Sequence, residues 1–211
     1  GGAERMCINI ANALFTNGYE VVVCSTRAGG SLQKQLNQRI KCYTLEKKGF
    51  ADFIAFRKLF KLIKLEKIQV IHAHSSSLFW AVFIKLWRRD LKIIWHDHLG
   101  RRINNRKGNI TYKLISSYIN AIISANKELA NWSRHNMHVP ANKVVFLNNF
   151  PLFQYGKKTI DPEQFTIVCL ANILPVKDHK TLIKAINILL EKKLPKKIVV
   201  RCAGAHNDSN Y

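Results

Sequence analysis

Two pairs of histidines at the ends of predicted strands are the first candidates for chemistry. His72 and His74 close the apolar run of residues 69–74, and His96 and His98 close the next such run. Residues i and i+2 of a strand share one face, and imidazole is a frequent zinc ligand. The pattern therefore allows a metal site, although no Asp or Cys cluster follows at a familiar spacing. Structural histidines that bond to their neighbours are the alternative interpretation.

A lysine beside a predicted helix N-terminus is the second candidate. Lys177 follows the apolar run of residues 165–170 and a short loop, and Asp178 occupies the N-cap position of the next helix. A cation and free backbone N–H groups at a helix N-terminus together suit a phosphate group. A lysine that contacts only water is the alternative.

Strands and helices alternate along the chain, and they would position these side chains. Short β-branched runs predict strands at residues 19–24, 39–45, 69–74, 91–96, 118–124, 165–170 and 197–202. Apolar positions at helical spacing predict a helix at residues 52–67, one that ends at residues 17–18 and one after residue 178. A nearly all-apolar run predicts a helix at residues 78–87, and Asn126 as an N-cap predicts one at residues 127–135. The alternation predicts an α/β fold with parallel strands, in which ligands bind at the carboxyl ends of the strands.

Two of the helices have apolar sides that predict how they pack. The first helix is predicted to pack through Met6, Ile10, Ala13 and Leu14. The helix of residues 52–67 is predicted to bury Phe56, Leu59, Phe60 and Ile63, with basic residues around its other side. That basic side is either solvated or in contact with anionic lipid.

The charge and composition of the 211-residue chain narrow the classes of partner. Lys and Arg number 34 against 13 Asp and Glu, a formal net charge of +21. This balance predicts an anionic partner, such as lipid head groups, nucleotide phosphates or nucleic acid. The hydrophobic content of 47% excludes a disordered chain. The five cysteines are scattered and are predicted to be reduced, and no segment is predicted to span a bilayer.

The order of the motifs resembles that of the retaining GT-B glycosyltransferases of family 4, which include many bacterial capsule and polysaccharide enzymes. A Gly-Gly-Ala-Glu sequence opens the chain at residues 1–4, a His-Ala-His-Ser-Ser strand end covers residues 72–76, and the following apolar run closes on His96. Asn149 and a Pro-x-Lys-Asp-His step at residues 175–179 come next. The resemblance covers most of the chain.

This resemblance implies a GT-B fold of two Rossmann-like, doubly wound domains. Residues 1–150 would form the N-terminal, acceptor-side domain without its first strand, and residues 151–162 the linker. Residues 163–211 would form the start of a truncated C-terminal, donor-binding domain. We expect this fragment to be inactive by itself, because the family's later acidic residues that bind the donor would follow residue 211.

The resemblance also implies roles for individual side chains near the acceptor. His96 is the expected catalytic residue, because in the family an imidazole at this position lies between the donor sugar and the acceptor. There it can exchange hydrogen bonds with sugar hydroxyls and shield developing charge. The expected acceptor-side residues are His74, Asp97, His98, Arg101 and Arg102, of which the two arginines begin a basic segment.

A second set of residues is expected to bind the donor. These are Gly1, Gly2, Asn172, Lys177 and Gly204. Lys177 would bind the diphosphate of a nucleotide sugar, and the two opening glycines would let the backbone approach the phosphates. The family usually has an arginine a few residues before this lysine, whereas here Asn172 and Leu174 occupy the candidate positions.

The activity implied by the resemblance is transfer of a sugar from a nucleotide-diphosphate sugar to a glycan or lipid-linked acceptor, with retention of the anomeric configuration. The nucleotide sugar is a substrate, and no cofactor or metal is expected, because cations and helix dipoles bind the donor. The expected location is cytoplasmic, in peripheral contact with anionic lipid at the inner face of the plasma membrane.

Two other classes of function stay open at this point. One is a metal-dependent hydrolase built on the paired histidines. The other is a basic nucleic-acid-binding α/β domain, although no RNA-recognition signature is visible in the sequence and no nucleic-acid partner is expected.

Overall fold

The computed structural model contains two compact units. It describes residues 2–27, 30–49, 51–98, 106–151, 163–192 and 196–205. Unit 1 is Gly1–Phe153 and unit 2 is Gln154–Tyr211. Every strand pairing among the described residues is parallel, so both units are α/β structures of the predicted kind.

Helices and strands alternate in unit 1. Its helices are α1 (Gly2–Thr16), α2 (Phe53–Leu65), α3 (Leu78–Trp87), α4 (Arg106–Ile115) and α5 (Lys127–Asn136). Its strands are β1 (Val22–Ser25), β2 (Lys41–Thr44), β3 (Val70–His74), β4 (Lys92–Asp97), β5 (Ala121–Ser124) and β6 (Val144–Phe146). In the described part of the chain, β3-β4-β5-β6 form a four-stranded sheet and β1-β2 a separate pair.

Local capping explains where several helices begin. Asn126 caps α5 as predicted, because its side-chain oxygen accepts from the Leu129 N–H at 2.8 Å. The carboxylate of Asp52 likewise accepts from the Ala55 N–H at 3.0 Å and caps α2. Each bond satisfies an N–H group that has no partner within its own helix.

The strand predicted at residues 118–124 is shorter in the structure and begins at Ala121. Residues 116–118 form a 3-10 turn instead. The buried hydroxyl of Ser116 donates to the Lys113 carbonyl at 2.6 Å and accepts from the His138 N–H at 2.9 Å. These two bonds hold the turn, and the second comes from a residue more than twenty positions away.

The main core of unit 1 lies on one face of the four-stranded sheet. Ile93, Trp95 and Ile122 are fully buried there, and α3 and α5 add apolar side chains to the same cluster. The indole N–H of Trp95 donates to the Ser75 carbonyl at 3.0 Å, and its ring stacks on Tyr112 with centroids 5.2 Å apart. Because successive strand residues point to opposite faces, this packing fixes which side chains of β4 face away from the core.

The face that α1 buries differs from the predicted one. Met6 is buried as predicted, but Ile8 and Ala11 are buried in place of Ala13 and Leu14, which are exposed. Ile8 and Ala11 pack in a cluster that also contains side chains of β1 and β2. The helix has two apolar stripes, and the position of the β1-β2 pair decides which of them is covered.

The apolar side of α2 packs as predicted. Phe56, Leu59, Phe60 and Ile63 all join core clusters shared with α3. The Phe56 ring meets Trp80 and Trp87 edge-on, in each case with centroids 6.0 Å apart. The basic residues of this helix are left at the surface.

Unit 2 is the predicted strand-helix-strand unit. It consists of β7 (Gln164–Leu170), α6 (His179–Glu191) and β8 (Lys197–Ala203). The two strands pair directly and in parallel over seven residues. Asp178 caps α6 as predicted, because its carboxylate accepts from the Thr181 N–H at 3.3 Å. Among the residues described in both units, no helix has the length and apolar character needed to cross a membrane.

The buried indole of Trp95 generates the first testable prediction. Trp95→Ala should lower the free energy of unfolding of unit 1 by about 3–5 kcal/mol, because it leaves a cavity and removes the bond to Ser75. All four tryptophans lie in unit 1, so tryptophan fluorescence during urea unfolding follows this unit. Trp87→Ala is the matched control: Trp87 is 65% exposed, and its loss should cost less than about 1 kcal/mol. Equal losses for the two variants would contradict the assigned core.

Candidate functional site

Four histidines meet at the carboxyl ends of β3 and β4. The two strands are parallel neighbours, and their register places His74 opposite His96. His72 and His98 lie two residues away on the same face. The structure therefore brings both predicted His-x-His pairs into one group, which we call the histidine cluster.

The rings of the histidine cluster stack on one another. The centroids of His96 and His98 lie 4.1 Å apart, those of His72 and His74 4.6 Å, and those of His74 and His96 5.0 Å. Nδ1 of His74 and Nε2 of His98 share a hydrogen bond of 3.1 Å, in which the tautomers decide which nitrogen donates. Each ring is thus oriented by its neighbours.

Burial keeps the histidine cluster uncharged at neutral pH. His96 is fully buried, and the other three rings are at least partly so. Burial, followed by the charge of neighbouring histidines, lowers the pKa of His72 to about 4, of His74 to about 2 and of His96 to about 3, from a usual value of 6.5. A neutral imidazole has one N–H donor and one acceptor nitrogen. The cluster can therefore donate a hydrogen bond to a hydroxyl group or accept one from it.

Some buried ring nitrogens of the cluster have no hydrogen-bond partner among the described residues. They include Nε2 of His72 and both nitrogens of His96. A buried polar atom without a partner costs free energy, so this arrangement suits a polar ligand that reaches the rings. His72, His74 and His96 also offer ligand atoms within 4.8 Å of one another, and these three could hold a metal ion.

Elements distant in sequence meet the cluster at His98. Burial lowers the pKa of His98, whereas hydrogen bonding with Asn149 and the negative charge of Glu4 raise it. A Cβ atom at Gly2 would lie 3.8 Å from the side-chain nitrogen of Asn149. The start of α1 and the segment after β6 therefore approach the end of β4. Gly2, a predicted donor-side residue, thus lies near the predicted acceptor-side His98.

Two residues at this site had no predicted role in sugar transfer, namely His72, which belongs to the cluster, and Glu4, which acts on it. His72 has a ring nitrogen that faces no partner in the described residues, and Glu4 acts on His98 through its charge. The i, i+2 spacing with His74 was the signal for His72. For Glu4 the signal was the opening Gly-Gly-Ala-Glu motif, in which a role was predicted for the glycines alone.

Asp97 points away from the histidine cluster. It is the last residue of β4 and is fully buried. Neighbouring residues of a strand point to opposite faces, so Asp97 shares the face of Trp95 rather than that of His96. It lies at the predicted strand end but on the other side of the sheet.

The second candidate site lies in unit 2, where Lys177 precedes α6. Lys177 is exposed and ends a short 3-10 turn that begins at Pro175. Asp178 follows in the left-handed conformation, with φ 50° and ψ 51°. Hydrogen bonds from Thr181 are the main cause that lowers the pKa of Asp178. A lysine and a helix N-terminus thus stand together, as the sequence predicted.

Asn172 and Gly204 lie side by side at the carboxyl ends of β7 and β8. The side-chain oxygen of Asn172 accepts from the Ala205 N–H at 3.1 Å. A Cβ atom at Gly204 would clash with the carbonyl of Ala171, so glycine permits this close approach. The pair of residues and Lys177 all belong to the same end of the unit 2 sheet. Gly1, Arg101 and Arg102 lie outside the described residues.

Comparison with known proteins identifies the family. Residues 1–150 match the family described as Glycosyltransferase Family 4. The chain belongs to glycosyltransferase family 4. It is also 23% identical over 201 residues to an "Uncharacterized glycosyltransferase" of Haemophilus influenzae. The aligned region covers 91% of this chain and 55% of that relative. The chain therefore spans about half the length of the curated relative that it matches.

Solved structures confirm the class of fold. A glycosyltransferase from Rickettsia africae has a TM-score of 0.61 at 12% identity, over 95% of this chain and 65% of that one. MurG from Acinetobacter baumannii has a TM-score of 0.58 at 14% identity, over 100% of this chain and 65% of that one. The predicted α/β fold of the GT-B class is confirmed. The roles of the individual site residues stay predictions.

The lowered pKa values of the cluster generate a prediction about acid stability. Above about pH 6.5 these histidines are neutral in both the folded and the unfolded state. Below it the unfolded chain binds protons that the folded His72, His74 and His96 do not, down to pKa values of about 4, 2 and 3. As the pH decreases below about 6.5, the free energy of unfolding of unit 1 should therefore decrease, by about 1.4 kcal/mol per pH unit for each such histidine.

Urea unfolding at a series of pH values, followed by tryptophan fluorescence, measures this dependence. His72→Gln should reduce the slope by about one proton. His135→Gln is the control, because His135 is exposed on α5 and bonds only to the Asn131 backbone in the hydrogen bonds described. An unchanged slope in His72→Gln would show that His72 does not resist protonation in the folded state.

Proposed function

We propose that the protein transfers a sugar from a nucleotide-diphosphate sugar to a glycan or lipid-linked acceptor, with retention of the anomeric configuration. Membership of glycosyltransferase family 4 supports a sugar transfer. The single observation that carries the proposal is the buried, neutral histidine cluster at the carboxyl ends of two adjacent parallel strands. That edge of the sheet is where α/β folds bind ligands.

His96 is the proposed catalytic residue, and its neutral state defines what it does. A neutral imidazole does not act as a strong acid near pH 7, but it exchanges hydrogen bonds with sugar hydroxyls. Its buried nitrogens would gain the partners that they lack in the described residues when the sugar binds. His74 and His98 orient one another through their hydrogen bond and line the same face.

Lys177 and the N-terminus of α6 are proposed to bind the donor diphosphate. The exposed ammonium group and the free N–H groups of the helix start are both attracted to negative charge. These groups need no metal ion to bind phosphate. Asn172 and Gly204 shape the adjacent loops by their contacts with Ala205 and Ala171.

The surface of α2 is proposed to contact an anionic membrane at the cytoplasmic face. Phe53, Ile54 and Leu65 are 70%, 71% and 73% exposed. Exposed basic residues of the same helix surround them, namely Arg57, Lys58, Lys61 and Lys64. Apolar side chains among basic ones suit the interface of an anionic bilayer, and a lipid-linked acceptor would be found there.

The two other classes of function lack comparable support. The histidine cluster could hold a metal, but the family and the similar structures are those of glycosyltransferases rather than hydrolases. The same findings do not favour a nucleic-acid-binding domain, and nucleotide and lipid phosphates account equally for the positive charge.

Kinetics of two variants in the natural protein test this proposal. His96→Ala should lower kcat by about 10²- to 10³-fold with little change in donor affinity, because it removes hydrogen bonds at the reacting sugar. Lys177→Ala should weaken the binding of a nucleotide-diphosphate sugar by about 10- to 100-fold, because it removes a charge-assisted hydrogen bond to phosphate. Calorimetric titration with UDP- and GDP-sugars measures the affinity, and a transfer assay measures kcat.

Matched controls separate these effects from loss of structure. His135→Ala removes an exposed histidine of unit 1, and Lys192→Ala removes an exposed lysine at the other end of α6. Both controls should keep the wild-type constants. Normal kinetics in His96→Ala and Lys177→Ala would show that the proposed sites are wrong.

Binding to lipid vesicles tests the membrane contact. Each basic residue near an anionic surface contributes about 1 kcal/mol, so Lys58→Glu with Lys61→Glu should weaken binding to phosphatidylserine-containing vesicles by at least about 30-fold. Lys127→Glu with Lys143→Glu changes the net charge equally but outside α2. Vesicle co-sedimentation that treats the two double variants alike would refute a specific role for α2.

A further inference from the structure

Two cysteines of unit 2 are direct neighbours across the sheet. Cys169 of β7 pairs with Cys202 of β8 in the parallel register, so both side chains lie on one face. Both are free thiols. On this face Cys202 lines a groove together with Leu182 and Ile186 of α6 and Val200 of β8. The thiols therefore lie on the side of the sheet that α6 covers.

His179, at the start of α6, lies close to these two thiols. It is the first residue of α6 and is 7% exposed, whereas the other residues of the helix are half-buried or exposed. One ring nitrogen of His179 and the sulfurs of Cys169 and Cys202 lie within 4.8 Å of one another. The buried imidazole thus lies beside two thiols, and both kinds of group are common metal ligands.

We propose that Cys169, Cys202 and His179 form a zinc site. Two thiolates and one imidazole are among the ligand sets that zinc prefers. Ligand atoms around a tetrahedral zinc lie about 3.3–3.8 Å apart, as follows from Zn–S and Zn–N distances of about 2.3 and 2.0 Å. Side-chain rotations that move these three ligand atoms by about one ångström therefore suffice to bring them to one ion.

The charges of such a site balance. Each cysteine thiol loses its proton to solvent when it binds, and the two thiolates then cancel the double charge of the ion. The neutral complex is compatible with the apolar side chains around it, whereas a lone buried ion would not be. Cys202 is exposed, so water can complete the four ligands from that side.

The proposed ion would tie the start of α6 to both strands of unit 2. Lys177 lies two residues before His179, so the ion would also hold the helix N-terminus to which the donor diphosphate is assigned. That consequence depends on the proposed function, but the zinc site itself does not. It is built from other residues than the histidine cluster of unit 1.

Titration of the purified full chain with Co²⁺, a spectroscopic substitute for zinc, tests the proposal. A phosphine reductant keeps the cysteines reduced. We expect one equivalent of Co²⁺ to produce a thiolate-to-cobalt charge-transfer band, and Zn²⁺ to abolish it by displacement. Cys169→Ser and Cys202→Ser should each lose most of the band, and His179→Gln should weaken the affinity for Co²⁺ by about 10-fold or more. Cys24→Ser, which removes a half-buried cysteine of unit 1, should keep the band.

The thiolate-to-cobalt band distinguishes binding at the proposed cysteine site from binding elsewhere on the protein. Cobalt bound to the histidine cluster would give no sulfur-to-metal band, so binding without the band would overturn the proposal. So would a band that survives in both Cys169→Ser and Cys202→Ser. Neither result bears on nucleotide-sugar binding, which is measured separately.

A second measurement needs no variant and so does not depend on whether the variants fold. Zinc should slow the alkylation of Cys169 and Cys202 in the wild-type chain by at least about tenfold, because bound thiolates react slowly. The alkylation of Cys42, a half-buried cysteine of unit 1, should not change. Mass spectrometry of the labelled peptides gives the rates, and equal rates with and without zinc would overturn the proposal.

Discussion

The parallel pairing of β3 with β4 is the constraint on which unit 1 depends. One register buries Ile93 and Trp95 on one face of the sheet and gathers four histidines on the other. A shift by a single residue would exchange these faces. It would bring imidazoles into the apolar core and expose the largest aromatic side chain of that core. The apolar packing that stabilises the sheet therefore also holds the histidine cluster together.

Burial then decides what chemistry each candidate site can perform. The histidine cluster is enclosed and neutral, so it offers donors and acceptors for hydroxyl groups rather than positive charge. Lys177 is exposed and stands at a helix N-terminus, so it offers charge to an anion. In the proposed function, the first kind of group serves the sugar and the second kind serves the diphosphate.

The pairing of β7 with β8 has the same importance in unit 2. It sets Cys169 beside Cys202 and brings Gly204 against the backbone of Ala171. The left-handed conformation of Asp178 then turns the chain into α6 and places the helix start over the sheet. Both the proposed donor site and the proposed zinc site depend on these two features, since each takes its residues from the strands or their ends and from the helix start.

The sequence by itself determined the features that depend on neighbours along the chain. Helical periodicity predicted α2, side-chain capping predicted the starts of α5 and α6, and the alternation of elements predicted a parallel α/β fold. The order of motifs led to the family and to the residues of both candidate sites. Only the tertiary structure decided which stripe of α1 is buried, that Gly2 and Asn149 approach His98, and that Cys169 meets Cys202. These depend on strand register and on packing between distant segments, and no local pattern encodes either of them.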